Sequence, residues 1–98
     1  MIKHIVMWRL NEAAGDKAEN ALRLKQALEG LNGKIPGLLK LEVGIDFSRE
    51  NESSDVVLYS EFASKQALTA YQAHPAHAAV APLVKSLRSE RRMVDYET

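Results

Sequence analysis

The stretch Leu39-Lys40-Leu41-Glu42-Val43-Gly44-Ile45-Asp46-Phe47 alternates apolar residues with polar or small ones at every step. A period of two puts Leu39, Leu41, Val43, Ile45 and Phe47 on one face of a strand and Lys40, Glu42, Gly44 and Asp46 on the other. One face is wholly apolar and the other polar, which makes this the clearest strand in the chain. Gly44 within it marks either a bulge or a close backbone approach.

Upstream, Ile35-Pro36-Gly37 reads as a turn. Before it, Asp16-Lys17-Ala18-Glu19 has the spacing of a capping box with Asp16 as N-cap. Ala21, Leu24, Leu28 and Leu31 then recur every three or four residues, with Leu22 widening the stripe. This predicts a helix that stops near Asn32-Gly33. Asn11 to Gly15 is a turn region. Ile2 to Leu10 reads as a strand with Ile2, His4, Val6, Trp8 and Leu10 on one face and Lys3, Ile5, Met7 and Arg9 on the other. Both faces are largely apolar, so this strand is expected to be covered on two sides, with His4 pointing inward beside Trp8.

Downstream, Ser48 to Asp55 is polar and acidic, and reads as a solvated, mobile hairpin loop. Its carboxylates lack the spacing of a calcium loop. Val56 to Phe62 is a third strand. Ser64 caps a second helix, in which Ala67, Leu68, Tyr71 and His74 face the sheet. Pro75 stops or bends it, and Ala76 to Leu87 resumes as an alanine-rich helix in which Pro82 is tolerable only in a first turn or at a kink. Arg91 to Tyr96 alternates as a last strand. The cluster Arg88, Arg91 and Arg92 reads as a solvated strand entry, with anion binding as the alternative.

Strand, helix, strand, strand, helix, strand is the α+β, ferredoxin-like βαββαβ sandwich: right-handed crossovers place the helices on one face of an antiparallel four-stranded sheet. The other face, carrying Ile5 and Met7, is left bare. An apolar patch of that size calls for a second chain, so a homodimer through the sheet face is expected. With 98 residues the chain reads as one domain, residues 1–98, burying roughly 60–65% of its unfolded surface, and pairing would help a core that thin.

Thirteen basic residues balance thirteen acidic ones, which leaves no electrostatic footprint for nucleic acid or an anionic membrane. Cysteine is absent, so disulfides, thiolate nucleophiles and cysteine-held zinc are excluded. No apolar run is long enough for a membrane span, and the N-terminus lacks the pattern of a signal peptide. A cytoplasmic location is the resulting expectation.

Chemistry can concentrate in Tyr71-Gln72-Ala73-His74-Pro75-Ala76-His77, which holds two of the three histidines and one of the three tyrosines. On a helix Tyr71 and His74 share a face, and Pro75 re-aims the chain beyond it. A histidine of ordinary pKa, about 6.5, suits acid–base work, and a tyrosine adds a hydroxyl donor. The structural alternative is that Tyr71 is a core aromatic, His74 caps the next helix, His77 is a satisfied histidine and His4 a hydrogen-bonded core residue. A metal would need three convergent ligands. Pro75 breaks the spacing of His74 and His77, so no metal is expected, and no phosphate loop or haem motif suggests another cofactor.

The chain resembles the stress-responsive α/β-barrel (Dabb, dimeric α+β barrel) domain family along nearly its whole length. The resemblance rests on Ile2-Lys3-His4-Ile5-Val6, Ile35-Pro36-Gly37-Leu38 with Leu41-Glu42-Val43-Gly44, Tyr59-Ser60-Glu61-Phe62, Tyr71 to His77 and Val94-Asp95-Tyr96. It implies a ferredoxin-like homodimer, and most bacterial members have no assigned activity. A plant branch, olivetolic acid cyclase, has a similar Tyr-x-x-His-Pro-x-His stretch and an early Lys-His, and closes a linear tetraketide by aldol chemistry without a cofactor. By that resemblance His77 is the base, Tyr71 polarises or holds the substrate, and His4 lines the cavity, with His74 and Trp8 as further ligand-binding candidates.

Three functions fit. One is a non-catalytic, stress-associated dimer with a small-molecule pocket near Tyr71 and His77. The second is a cofactor-free cyclase, lyase or isomerase acting on a small polyketide-like carbonyl compound. The third, a cofactor-free monooxygenase, rests on fold analogy alone.

Overall fold

The computed structural model describes residues 1–98. The elements are β1 (Ile2–Leu10), α1 (Lys17–Glu29), β2 (Leu38–Ile45), β3 (Val56–Phe62), α2 (Lys65–Ala73), α3 (Pro75–Leu87) and β4 (Arg88–Glu97). The strands form one sheet in the order β2-β3-β1-β4, every neighbouring pair antiparallel. This is the ferredoxin-like arrangement the element order predicts, with the second helix broken in two at Pro75.

The core lies between the sheet and the helices. Ile2, Val6, Trp8 and Leu10 of β1, Leu41 and Val43 of β2, and Val56, Leu58 and Phe62 of β3 are buried against Ala21, Leu24 and Leu28 of α1 and Leu68 and Tyr71 of α2. α1 starts where expected: the Asp16 carboxylate accepts from the N–H groups of Ala18 and Glu19 at 2.8 and 3.2 Å. It stops earlier than its apolar spacing suggests, at Glu29, and Gly30 to Lys34 continue as turns with Gly33 at φ +78°. Leu31 and Ile35 are buried outside the helix. Leu22 is 52% exposed and does not widen the buried stripe.

The β2 alternation fails at both ends. The register with β3 shifts between Leu38 and Lys40, so Leu38 packs on the core and Leu39 is turned out, 56% exposed. The irregularity is therefore at Leu39 rather than Gly44. Gly44 is instead a close approach: a Cβ there would lie 3.0 Å from Val57 Cγ1. Phe47, beyond the strand end, is exposed. At Gly37 φ is +82° and an added Cβ would fall 2.6 Å from Ala67 Cβ, so this turn needs both glycine's backbone and its missing side chain.

The loop after β2 is tied down at its far end. Asp55 accepts from the Leu10 N–H at 2.7 Å, and its own N–H donates to the Trp8 carbonyl at 2.8 Å. Pro82 sits in the interior of α3, where the sequence rule allowed it only in a first turn or at a kink. Its ring nitrogen cannot donate to the Ala78 carbonyl, so that turn has one bond fewer. The opposite face of the sheet has no helix. Met7, Val94 and Tyr96 are exposed there and Ile5, Val57 and Tyr59 partly so.

Candidate active site

β1 pairs with β4 so that His4 stands opposite Asp95. Side chains opposite one another share a face of the sheet, and His4 Nδ1 is hydrogen-bonded to Asp95 Oδ1. A carboxylate oxygen accepts, so the contact favours the tautomer that carries its proton on Nδ1 and leaves Nε2 as the acceptor. The His4 backbone is also fixed, because its carbonyl accepts from the buried Ser60 hydroxyl at 2.9 Å. His4 is thus a hydrogen-bonded residue of the sheet and also part of a cavity wall.

α2 delivers Tyr71 to the same place. Ser64 caps the helix by accepting from the Ala67 N–H at 3.1 Å. Leu68 and Tyr71, three residues apart, are its buried residues. The Tyr71 ring lies 4.9 Å from the Phe62 ring, 4.6 Å from His77 and 6.3 Å from His4, centroid to centroid. Its hydroxyl is buried without a hydrogen-bond partner. Burial pushes its pKa up to about 12, so Tyr71 stays protonated, a donor in search of an acceptor.

The break at Pro75 settles His74. Its backbone is extended, and its Nδ1 accepts from the Ala76 N–H at 3.0 Å, which makes it the N-cap of α3. His74 does not line the cavity; the ligand-binding role considered for it gives way to a cap, because the extended ψ of 138° takes it off the α2 face. The same break starts α3 in a new direction, with Pro75 in the first turn and His77 turned against Tyr71. Half-buried, His77 has its pKa lowered, chiefly by loss of hydration, with His4 and Arg91 acting in the same direction. It is neutral, and so able to accept a proton, over a wider pH range than a free histidine.

These groups line a half-open cavity of about 330 Å³ between the sheet and α3. His4, Val6 and Trp8 of β1 and Leu58 of β3 form its floor, and Tyr71 and His77 line it too. The space exists because α3 faces the floor with Val80, Ala81 and Val84, side chains too short to fill it. The Trp8 indole N–H, in a side chain only 4% exposed, is a second buried donor with no partner. Lys85, Arg88 and Arg91 line the cavity as well.

The structure therefore brings together four of the five candidate residues: His4, Trp8, Tyr71 and His77. It adds Asp95 behind His4, and the cations Lys85, Arg88 and Arg91 in the lining. Strand alternation puts Arg91 and Asp95 on one face of β4, but the β1–β4 register was needed to set Asp95 against His4. His4, His74 and His77 do not converge as three ligands. Chemically, the site offers a neutral histidine, a high-pKa phenol and a carboxylate-oriented histidine around one apolar space.

A family model for the stress responsive A/B barrel domain, Dabb, matches residues 2–98. The chain belongs to the Dabb family. Among similar proteins, an uncharacterised protein of Streptomyces coelicolor is 32% identical over 79 residues, 81% of each chain. A dimeric protein of unknown function and ferredoxin-like fold from Bacteroides fragilis superposes on this Dabb domain with a TM-score of 0.88 at 32% identity, over 99% of this chain and 95% of that one. Hydroxynitrile lyase from Passiflora edulis superposes with a TM-score of 0.81 over 97% of this chain and 90% of its own, at 14% identity. That last likeness is one of fold alone.

Proposed function

We propose that this Dabb domain is a homodimer, joined through the bare sheet face, whose cavity takes a small carbonyl compound and acts on it by cofactor-free acid–base chemistry. One observation carries the chemical part: Tyr71 and His77 meet at 4.6 Å on the wall of a cavity that also holds His4, with the Tyr71 hydroxyl unpartnered. In this reading His77 takes a proton from the carbon next to the carbonyl. The C–H electron pair moves into an enolate, and Tyr71 O–H donates to its oxygen. The protonated His77 returns the proton at a later step, which closes the cycle of a cyclase, lyase or isomerase. His4, oriented by Asp95, offers Nε2 as a further polar contact. No step needs an oxidant or a bound group.

The dimer part is supported by the relative from Bacteroides fragilis, described as dimeric, and by the apolar residues Ile5, Met7, Val57, Val94 and Tyr96 on the helix-free face. The hydroxynitrile lyase and the monooxygenase alternative share the fold and add nothing on substrate. The test is a panel of small carbonyl compounds assayed against Tyr71→Phe and His77→Ala. Turnover by the parent protein that is lost in both folded variants supports the reading. Turnover that survives both changes ends it.

A further inference from the structure

We infer that the ligand of this cavity carries an acid group, held at the α3–β4 corner by Lys85, Arg88 and Arg91; the inference rests on the cavity being a ligand site, as already proposed. All three cations line the cavity, and none is in an ion pair. The neighbouring acids are used elsewhere: Glu90 pairs with Arg9 at 3.5 Å, and Asp95 holds His4. In a chain of zero net charge, three unpaired cations around one opening are a local excess that attracts an anion.

Register and burial give the anion a place. Arg91 stands directly across from Trp8 in the β1–β4 pair. Trp8 carries the buried, unpartnered indole N–H and lines the cavity with it. Arginine, lysine and indole N–H are donors only, and a carboxylate is an acceptor only, able to engage a guanidinium through two oxygens. Val6, Leu58 and Val80 in the lining ask for an apolar body. The substrate class is thereby narrowed to small carbonyl acids: a carboxylate held by Arg88 and Arg91, an apolar body, and the reacting carbonyl toward Tyr71 and His77. Lys85 and Arg91 are exposed at the rim, so their attraction will be sensitive to salt.

The chain has a single tryptophan, and it lies in the cavity, so one indole N–H resonance reports occupancy. The probes are 3-phenylpropanoate, its neutral amide and inorganic phosphate, titrated into the full chain at low salt and followed by that resonance. The expected result is that the carboxylate binds about tenfold tighter than the amide or better, and that raising the salt erodes its advantage. In the double variant Arg88→Gln, Arg91→Gln the advantage of the carboxylate over the amide should shrink to about twofold. Amide and carboxylate moving the resonance equally, or a preference that survives the double substitution, overturns the acid group and leaves the cavity a ligand site. Neither compound moving it at millimolar concentration overturns both. Phosphate acting as strongly as the carboxylate reduces the cluster to a general anion patch and also overturns the inference.

Discussion

His4 and Asp95, 91 residues apart in sequence, are hydrogen-bonded through Nδ1 and Oδ1 across the β1–β4 pair. The contact ties the first strand to the last at the edge of the cavity. It selects the imidazole tautomer with its lone pair on Nε2. Asp95→Asn keeps the shape but lets the amide donate as well as accept, so both tautomers become accessible. The ¹⁵N shifts of the His4 ring should show protonation at Nδ1 in the parent and a mixture in the variant. Unchanged shifts would mean that Asp95 does not orient the ring.

Tyr71→Phe separates stability from function. The hydroxyl is buried without a partner, and such a group costs roughly 1–3 kcal/mol of desolvation. Removing it should leave the denaturation midpoint unchanged or raised, while affinity for a carbonyl ligand falls. A variant destabilised by more than about 1 kcal/mol would show that the hydroxyl has a partner in solution.

The lowered pKa of His77 sets a pH window. Its folded value lies below the unfolded one, about 6.5, so the unfolded chain binds the proton first as pH falls. The stability that neutral His77 contributes is present above that unfolded value and is lost as pH falls through the folded one. Likewise, any activity that uses His77 as a base should persist below pH of about 6.5 before its acid limb appears. His77→Ala should flatten the stability profile in this window. An activity limb at or above the ordinary histidine value would contradict the site described.

The helix-free face makes a separate prediction. Val57 and Val94 lie on it, on strands β3 and β4 to either side of β1. A lysine at both positions would bury charge in a sheet-to-sheet interface. Sedimentation should then show a folded monomer where the parent is a dimer. A dimer that survives Val57→Lys with Val94→Lys would place the interface elsewhere.

Much of this was legible in the sequence, for local reasons. Asp16 and Ser64 announce their helices because a cap is decided within three residues. The faces of β1 follow from strict alternation, and element order alone limits the topology to few choices. What escaped depends on pairing. Leu39 is turned out by a register shift that only the β3 partner reveals. The α1 apolar spacing runs on to Leu31 because Leu31 is buried too, in the turn after the helix. Tyr71 and His77 stood out as a cluster, and of the two readings open for His74, ligand contact or cap of the next helix, its backbone shows the cap. Asp95 and Arg91 acquire meaning only opposite His4 and Trp8.

The most direct measurement is hydrogen–deuterium exchange at carbon. An acid–base site of this kind lifts a proton from the carbon beside a carbonyl, so it should wash deuterium from D₂O into that position whatever the later reaction. A small aryl ketone acid would be incubated with the parent protein, with His77→Ala and with Tyr71→Phe, and followed by proton NMR. Exchange should be faster than the buffer rate with the parent, fall by about 10²- to 10⁴-fold in His77→Ala and be reduced in Tyr71→Phe as well. Exchange at the buffer rate with the parent, in a compound shown by the Trp8 resonance to occupy the cavity, would contradict the acid–base reading.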